Sequence, residues 1–459
     1  MKITLAMAPW DLWQDEEDTL YPMGLAYLGS VLEKNNHEVD LLNLTNTQWE
    51  EVKPRVFEKI KKEKPDFFGI SILSNSRISA LKLLKVVKEA SPETKIIAGG
   101  VHTSFLHEQV LDKYPVDYAV IGEGEITFIE LIEAIKKEKS LEYFKKIKGI
   151  AFKHKYEIIK TEPRERIRDL DSLPFPKHEF FEKTIKKHKT AYMMTSRGCP
   201  FSCSFCPSSA FLGVCLIQRS AENVFEEIKY LIKKFPYLEE IHFLDDEFVC
   251  NNKRIIDLCK MMLKENIKIK WNCLGRASSI NEELISWMKK AGCYEVIFGV
   301  ESGSQRMLDG MGKRVKVEQI INAFEICKKY KLETACLMIV GLPGENKESV
   351  NESIALAKKL KKVISPAILI VYPGTRVYEV AKEKGMMTDD YWLAEGLPPL
   401  YTAEHSKSKL LWWSFKSGLI SRFYAENGDF IPFIKEKFIK KLHPHNFIRI
   451  TKRYLSDKT

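Results

Sequence analysis

The first 198 residues contain no cysteine, although the 459-residue chain holds ten. A Cys-ligated iron–sulfur or zinc site is therefore not expected in that stretch. The segment after the first apolar run reads Ala8-Pro-Trp-Asp-Leu-Trp13 and has no glycine. A dinucleotide-binding turn needs G-x-G-x-x-G there, so NAD and FAD are not expected. No apolar run approaches the ~18 residues of a membrane helix. Met1-Lys-Ile-Thr-Leu5 leads straight into a strand-like segment. A signal peptide is not expected ahead of it, and a cytoplasmic location is. Net charge is +10, but Lys alternates with Glu through 53–64 and 435–441. That pattern reads as solvated helix faces. No stripe of basic and aromatic residues stands out, so no nucleic-acid partner is expected.

The cysteines that are present begin with a cluster. Cys199, Cys203 and Cys206 stand in Arg197-Gly-Cys-Pro-Phe-Ser-Cys-Ser-Phe-Cys-Pro207, a C-x-x-x-C-x-x-C run. Thiolates are the usual ligands of iron–sulfur clusters. Three can hold three irons of a four-iron cube, which leaves one iron open to a small molecule. A structural zinc site wants four ligands, commonly from C-x-x-C pairs, and only Cys215 is near. A disulfide does not suit a cytosolic chain. Gly198, Pro200 and Pro207 mark a loop. The scattered Cys215, Cys250, Cys259, Cys273, Cys293, Cys327 and Cys336 read as small buried apolar residues. None follows Cys336, so no C-terminal auxiliary cluster is expected.

The periodicity predicts two α/β units. Strand-length runs at Ile3–Ala8, Val39–Leu44, Phe67–Leu73, Lys95–Gly100 and Tyr118–Ile121 alternate with helical patterns. Those helices fall at Gly24–Lys34, Glu50–Lys64, Ile78–Glu89, Thr103–Lys113 and Thr127–Ile135. This pattern predicts a doubly wound parallel sheet over 1–138 of the Rossmann or flavodoxin kind. Residues 139–190 read as a connector with a small hairpin and the extended Leu173-Pro-Phe-Pro176. A second alternation over 191–385 has strands at Tyr192–Ser196, Glu240–Leu244, Lys268–Leu274, Glu295–Val300, Thr334–Val340 and Ala367–Tyr372. Six units predict a partial barrel, with the Cys loop at the carboxyl end of its first strand. The tail, 386–459, contains Leu410-Leu-Trp-Trp-Ser-Phe415 and Phe430–Leu442. It reads as helices packed on the barrel, with peripheral membrane contact as the alternative.

Longer motifs carry a resemblance over nearly all of the chain up to about residue 385. They are Tyr21-Pro-Met-Gly-Leu-Ala-Tyr-Leu28, Phe68-Gly-Ile-Ser71, Ile97-Ala-Gly-Gly-Val-His102 and Ile121-Gly-Glu-Gly-Glu-Ile-Thr-Phe128. Downstream stand Phe243-Leu-Asp-Asp246, Gly299-Val-Glu-Ser-Gly-Ser304, Ile339-Val-Gly-Leu-Pro-Gly-Glu345 and Tyr372-Pro-Gly-Thr375. Together with the Cys triplet they resemble the cobalamin (B12)-binding radical SAM enzymes of the class B methyltransferase kind. The resemblance implies a cobalamin domain, a (β/α)6 radical SAM barrel and a helical tail.

It also implies a 4Fe-4S cluster on Cys199, Cys203 and Cys206, S-adenosylmethionine (SAM) on the open iron, and a 5′-deoxyadenosyl radical from its cleavage. Methyl transfer from methylcobalamin to carbon is the leading reaction; oxidative cyclisation or another rearrangement is the alternative. A non-enzymatic cobalamin-binding module does not account for an intact Cys triplet. The implied SAM contacts are Phe205, Asp245, Asp246, Arg276, Glu301, Ser302, Ile339, Gly341 and Tyr372, with the choice between the two aspartates open. The implied cobalamin contacts are Trp10, Ser71, Ser74, Gly99, Gly100, His102, Gly122, Glu123 and Gly124. The loop Asp11-Leu-Trp-Gln14 lacks the D-x-H-x-x-G histidine that can ligate cobalt. Trp10 or Trp13 then shields the lower face, or both are core or rim aromatics. A small natural-product-like substrate and a flavodoxin or ferredoxin electron donor complete the implied set.

Overall fold

The computed structural model describes residues 1–10, 21–45 and 47–425. Trp13, the loop 11–14 and the expected helix Phe430–Leu442 lie outside them. The five apolar runs form parallel strands β1 (Lys2–Met7), β2 (Glu38–Asn43), β3 (Phe67–Ser71), β4 (Lys95–Gly99) and β5 (Tyr118–Val120). Apart from the edge strand β2, their residues are buried in continuous runs because helices cover both faces of the sheet. Helices Met23–Lys34 and Glu125–Lys136 pack on one face through Leu25, Leu32, Phe128 and Leu131. Helices Trp49–Glu63 and Arg77–Ala90 pack on the other through Val52, Val56, Leu83 and Leu84.

Strand order is β2-β1-β3-β4-β5, so the winding reverses between β1 and β3. Ligands of open α/β sheets bind beyond the carboxyl ends at such a point. The expected helix Thr103–Lys113 is two helices, Val101–Phe105 and His107–Lys113, broken at Leu106. The hairpin expected within the connector, β6 (Ile150–His154) and β7 (Glu157–Lys160), pairs antiparallel onto β5. It is the edge of the first sheet, which therefore has seven strands.

The second sheet runs β8 (Thr190–Met193), β11 (Glu240–Phe243), β12 (Lys270–Gly275), β13 (Cys293–Glu301), β14 (Glu333–Val340) and β15 (Ala367–Ile368), all parallel. A two-residue antiparallel pair, β9 (Ser196–Arg197) with β10 (Ile217–Gln218), closes the base of the Cys loop. The strand expected over Ala367–Tyr372 is shorter because β14 ends at Val340. Beyond it, residues 369–371 pair with 399–401 instead: Val371 donates to the Pro399 carbonyl and Tyr401 to that of Leu369. Along β13, Val296, Phe298 and Val300 face the helices, while Ile297, Gly299 and Glu301 line the concave face.

The C-terminal segment ties the two units together. Trp392 is wholly buried in the barrel core. Arg77, on a first-domain helix and also fully buried, lies over the Trp392 ring at 5.2 Å. Its guanidinium donates to the carbonyls of Trp392 (2.9 Å), Ala394 (2.9 Å) and Ser74 (3.0 Å). Helix Lys407–Ala425 then seats Leu410 and Trp413 against Val350 and Ile354. Among the described residues no helix is long and apolar enough to cross a membrane.

Candidate active site at the junction of the two sheets

The Cys loop leaves β9 at the carboxyl end of the barrel. Gly198 has φ +83°, and a Cβ there would lie 2.3 Å from the Cys215 carbonyl oxygen, so glycine is required. The loop docks through the Ser204 N–H on the Met311 carbonyl (3.0 Å) and through the Val377 N–H on the Ser204 carbonyl (3.1 Å). The three thiols are half-buried and unbridged. Burial, with the charges of Glu247 and Asp246 adding to it, pushes Cys199 up to about 11, and burial also raises Cys206. Metal binding would therefore release their protons. Among the described residues no three His, Cys, Asp or Glu side chains converge on a single-ion point.

Beside this loop, Arg276 ends β12. Its guanidinium lies 3.7 Å from the centre of the Phe201 ring, and its Nε donates to Ser278. Its Nη2 is buried without a partner, a cationic donor left for an anionic ligand group. β13 shifts register against β14 between Gly299 and Glu301, and Glu301 stands there at φ +64°. There Glu301 takes the Lys313 ammonium at 2.9 Å. A Cβ at Gly299 would sit 2.6 Å from the Glu301 carboxylate, so glycine makes room for this pair. Ser302 is buried, facing Ser353 at 3.3 Å and accepting from the Ser304 N–H at 3.2 Å. Asp246 is exposed and bonded by Ser208. Asp245 is buried and holds the Thr195 N–H and hydroxyl and the Ser196 hydroxyl, so its carboxylate is committed to the turn after β8. Phe205, Ile339 and Tyr372 are half-buried around the same mouth, and Gly341 turns at φ +88°.

On the other side of the junction a cavity of about 260 Å³ opens over the carboxyl ends of β3 to β5. Ser71, Gly99, Gly100, Gly122, Glu123 and Gly124 line it, facing Tyr27, Met194, Arg197, Phe211 and Leu212. A Cβ at Gly24 or Gly122 would meet nothing within 4 Å. These glycines form a cradle whose missing side chains leave room for a broad flat ligand. Ser74 and His102 are buried and bonded to each other at 3.0 Å, outside this lining. Burial lowers His102 to about 3, so it is neutral. Trp10 is half-buried outside the lining too, its backbone N–H on the Thr45 carbonyl and its indole nitrogen buried without a partner.

Residues 193–357 match the radical SAM superfamily and residues 17–132 match the B12 binding domain. An uncharacterized methyltransferase of Pyrococcus horikoshii is 34% identical over 406 residues, 85% of this chain and 85% of that protein. The chain belongs to the cobalamin-binding radical SAM enzymes. Its cofactors are a 4Fe-4S cluster, SAM and cobalamin. The three loop thiols, the unpartnered Arg276 nitrogen and the glycine cradle fit those groups. An anaerobic magnesium-protoporphyrin IX monomethyl ester cyclase of Cereibacter sphaeroides is 30% identical over 314 residues, 66% of this chain and 51% of that one. The radical SAM methyltransferase TsrM from Kitasatospora setae, solved with tryptophan and a SAM analogue, shares the fold. Its TM-score is 0.70 at 18% identity, over 83% of this chain and 76% of that one.

Sequence reasoning missed Glu247, Lys313 and the wall residues Tyr27, Met194 and Arg197. Glu247 is buried, accepts from the Arg276 N–H at 3.3 Å, and is pushed up to about 7 by burial. Two of them had a local signal: Arg197 stands two residues before Cys199, and Tyr27 lies within the motif Tyr21–Leu28.

Proposed function

We propose that this enzyme methylates an unactivated carbon of a small natural-product-like substrate. The observation that carries this reading is the shared wall. Met194, Arg197, Phe211 and Leu212, from the strand end and loop that bear the cysteines, line the same cavity as Gly99, Gly122 and Gly124. When bound, the cluster and SAM supply a 5′-deoxyadenosyl radical, and cobalamin carries the transferable methyl group. The residues of the chain bind and orient. Cys199, Cys203 and Cys206 hold the cluster. Arg276 and Lys313 take the SAM carboxylate, Glu301 and Asp246 its polar groups, and Ser302 fixes the loop that presents Glu301. Phe205, Ile339, Gly341 and Tyr372 enclose the adenine. Ser71, Gly99, Gly100, Gly122, Glu123 and Gly124 contact cobalamin; Trp10, Ser74 and His102 support that site from behind.

On the concave face Leu274, Ile297 and Leu337 keep the substrate carbon dry. Below them Tyr294 accepts from Asn272 at 3.0 Å and meets His242 at 3.2 Å, a polar floor that orients the substrate. The functional divisions in this reading are 1–138, 139–190, 191–385 and 386–459. The hairpin edge at 150–160 serves the first of them. A reduced flavodoxin or ferredoxin supplies the electron in the cytoplasm. Trp412, 58% exposed, gives the tail a place for peripheral membrane contact.

Anaerobic reconstitution with iron, sulfide and hydroxocobalamin tests the reading. Label from methyl-SAM should reach the product of substrate candidates, with S-adenosylhomocysteine and 5′-deoxyadenosine formed together. 5′-Deoxyadenosine without S-adenosylhomocysteine would assign a non-methylating reaction instead. Cys203→Ala should lose cluster absorbance and SAM cleavage; retained cleavage refutes the ligand assignment.

A further inference from the structure

Glu123 sits at the lip of the glycine cradle, between Gly122 and Gly124, with its side chain 10% exposed. One carboxylate oxygen accepts from Arg197 at 2.8 Å, the other from the Ile167 N–H at 3.0 Å. Arg197 also donates to Glu125 at 2.6 Å. It is two residues before Cys199, so two first-domain carboxylates grip the start of the Cys loop. Arg166 stands 3.6 Å from the same Glu123. Its guanidinium donates to the carbonyls of Leu212 (2.9 Å), Arg197 (3.2 Å) and Cys215 (3.3 Å). One carboxylate thus touches both guanidiniums that hold the two ends of the loop.

Holding the domains together does not require this arrangement. A separate buried network, Arg219 with Glu227 and the Met194 carbonyl and His178 with Glu227 at 2.7 Å, already links the connector to the barrel. The Arg77 contacts fasten the opposite side. The Glu123 pairs add something else, a connection from the cradle lip to the cysteines. Arg197 divides its two terminal nitrogens between Glu123 and Glu125, and charge-assisted bonds of this kind are directional, so they transmit an orientation as well as an attraction.

We propose that Arg197 and Arg166 are positioning residues through which occupation of the glycine cradle orders the Cys loop. A corrin resting on the Gly122–Gly124 turn fixes Glu123, Glu123 fixes both arginines, and residues 197–215 settle into the geometry that receives the cluster. Coupling of this kind is reciprocal: the loaded loop also tightens the cradle. The inference rests on the cobalamin reading above.

The test is amide hydrogen exchange over residues 197–215 in the full cluster-free chain, with and without aquacobalamin. Binding is followed separately by absorbance. In the natural sequence, exchange should slow roughly five-fold or more when aquacobalamin binds. In Arg166→Gln, whose side chain lies outside the cavity lining, the slowing should vanish while aquacobalamin still binds. Arg166→Lys, which keeps the charge but not the spread of donors, should recover only part of it. Bound aquacobalamin that leaves the natural loop's exchange unchanged overturns the clamp and leaves the cobalamin reading standing. Slowing that survives in Arg166→Gln overturns it as well. No aquacobalamin bound to the natural chain overturns both. If Arg166→Gln does not fold, Arg166→Lys takes its place, and slowing equal to the natural chain's overturns the clamp.

Discussion

Glu345 illustrates how single residues at the barrel mouth are tuned. It closes the Gly341-Leu-Pro-Gly-Glu345 turn, accepting the Gly341 N–H, while its Oε1 is buried without a partner. Burial pushes this carboxyl up to about 7. Its folded-state value therefore lies above its unfolded one. The unfolded chain loses this proton first, and stability falls as pH rises from about 4.5 to about 7, then stays level. The loss amounts to up to ~3 kcal/mol. Glu345→Gln should remove it, flattening the stability difference between pH 5 and pH 8 in urea unfolding of the cluster-free protein. Equal slopes in variant and natural chain would show that Glu345 ionises freely. At this scale the sequence disclosed the cysteines, because their spacing is local and loop-bound. Glu247 and Lys313 were not legible. Glu247 meets Arg276 only after the barrel brings two strand ends together, Lys313 meets Glu301 across the short helix that follows β13, and nothing in their flanking residues marks them.

The two sheets were legible as elements because their strands are unbroken apolar runs between amphipathic helices. The errors have local causes. The run at 367–372 is as apolar as a strand, yet after the Leu369 N–H on Val340 the Leu369 carbonyl and the Val371 N–H turn to 399–401 instead. The hairpin at 150–160 joined the first sheet because β5 needed an edge partner, which sequence separation hides. The element that most directly predicts binding is the cradle. Gly24 lies in the first turn of helix Met23–Lys34, exposed into the cavity, with nothing within 4 Å of a Cβ. Gly24→Ala should stabilise the apoprotein by up to ~1 kcal/mol, since alanine is the better helix former. Gly24→Phe should fold equally well but fill the cavity and abolish aquacobalamin binding, read by absorbance titration. Undiminished binding to the phenylalanine variant would move the corrin away from this cradle.

At the scale of the whole molecule, the strap over Arg77 is the informative contact. Removing the guanidinium strands the carbonyls of Trp392, Ala394 and Ser74. Each charged hydrogen bond contributes about 1.5–3 kcal/mol, so Arg77→Met should destabilise by ~3 kcal/mol or more. Calorimetry should show the natural chain melting as one unit and Arg77→Met as two, the first sheet separating from the barrel. A single, unshifted transition in the variant would mean the strap carries no load. A second consequence concerns traffic. A two-domain enzyme joined by one linker can open like a jaw to exchange its contents. Here the halves are fastened at the connector and again, far along the chain, by the strap. Rotation about either fastening strains the other. The glycine cradle and the Cys loop are therefore held at one spacing, and exchange at either site cannot rely on a hinge between the halves.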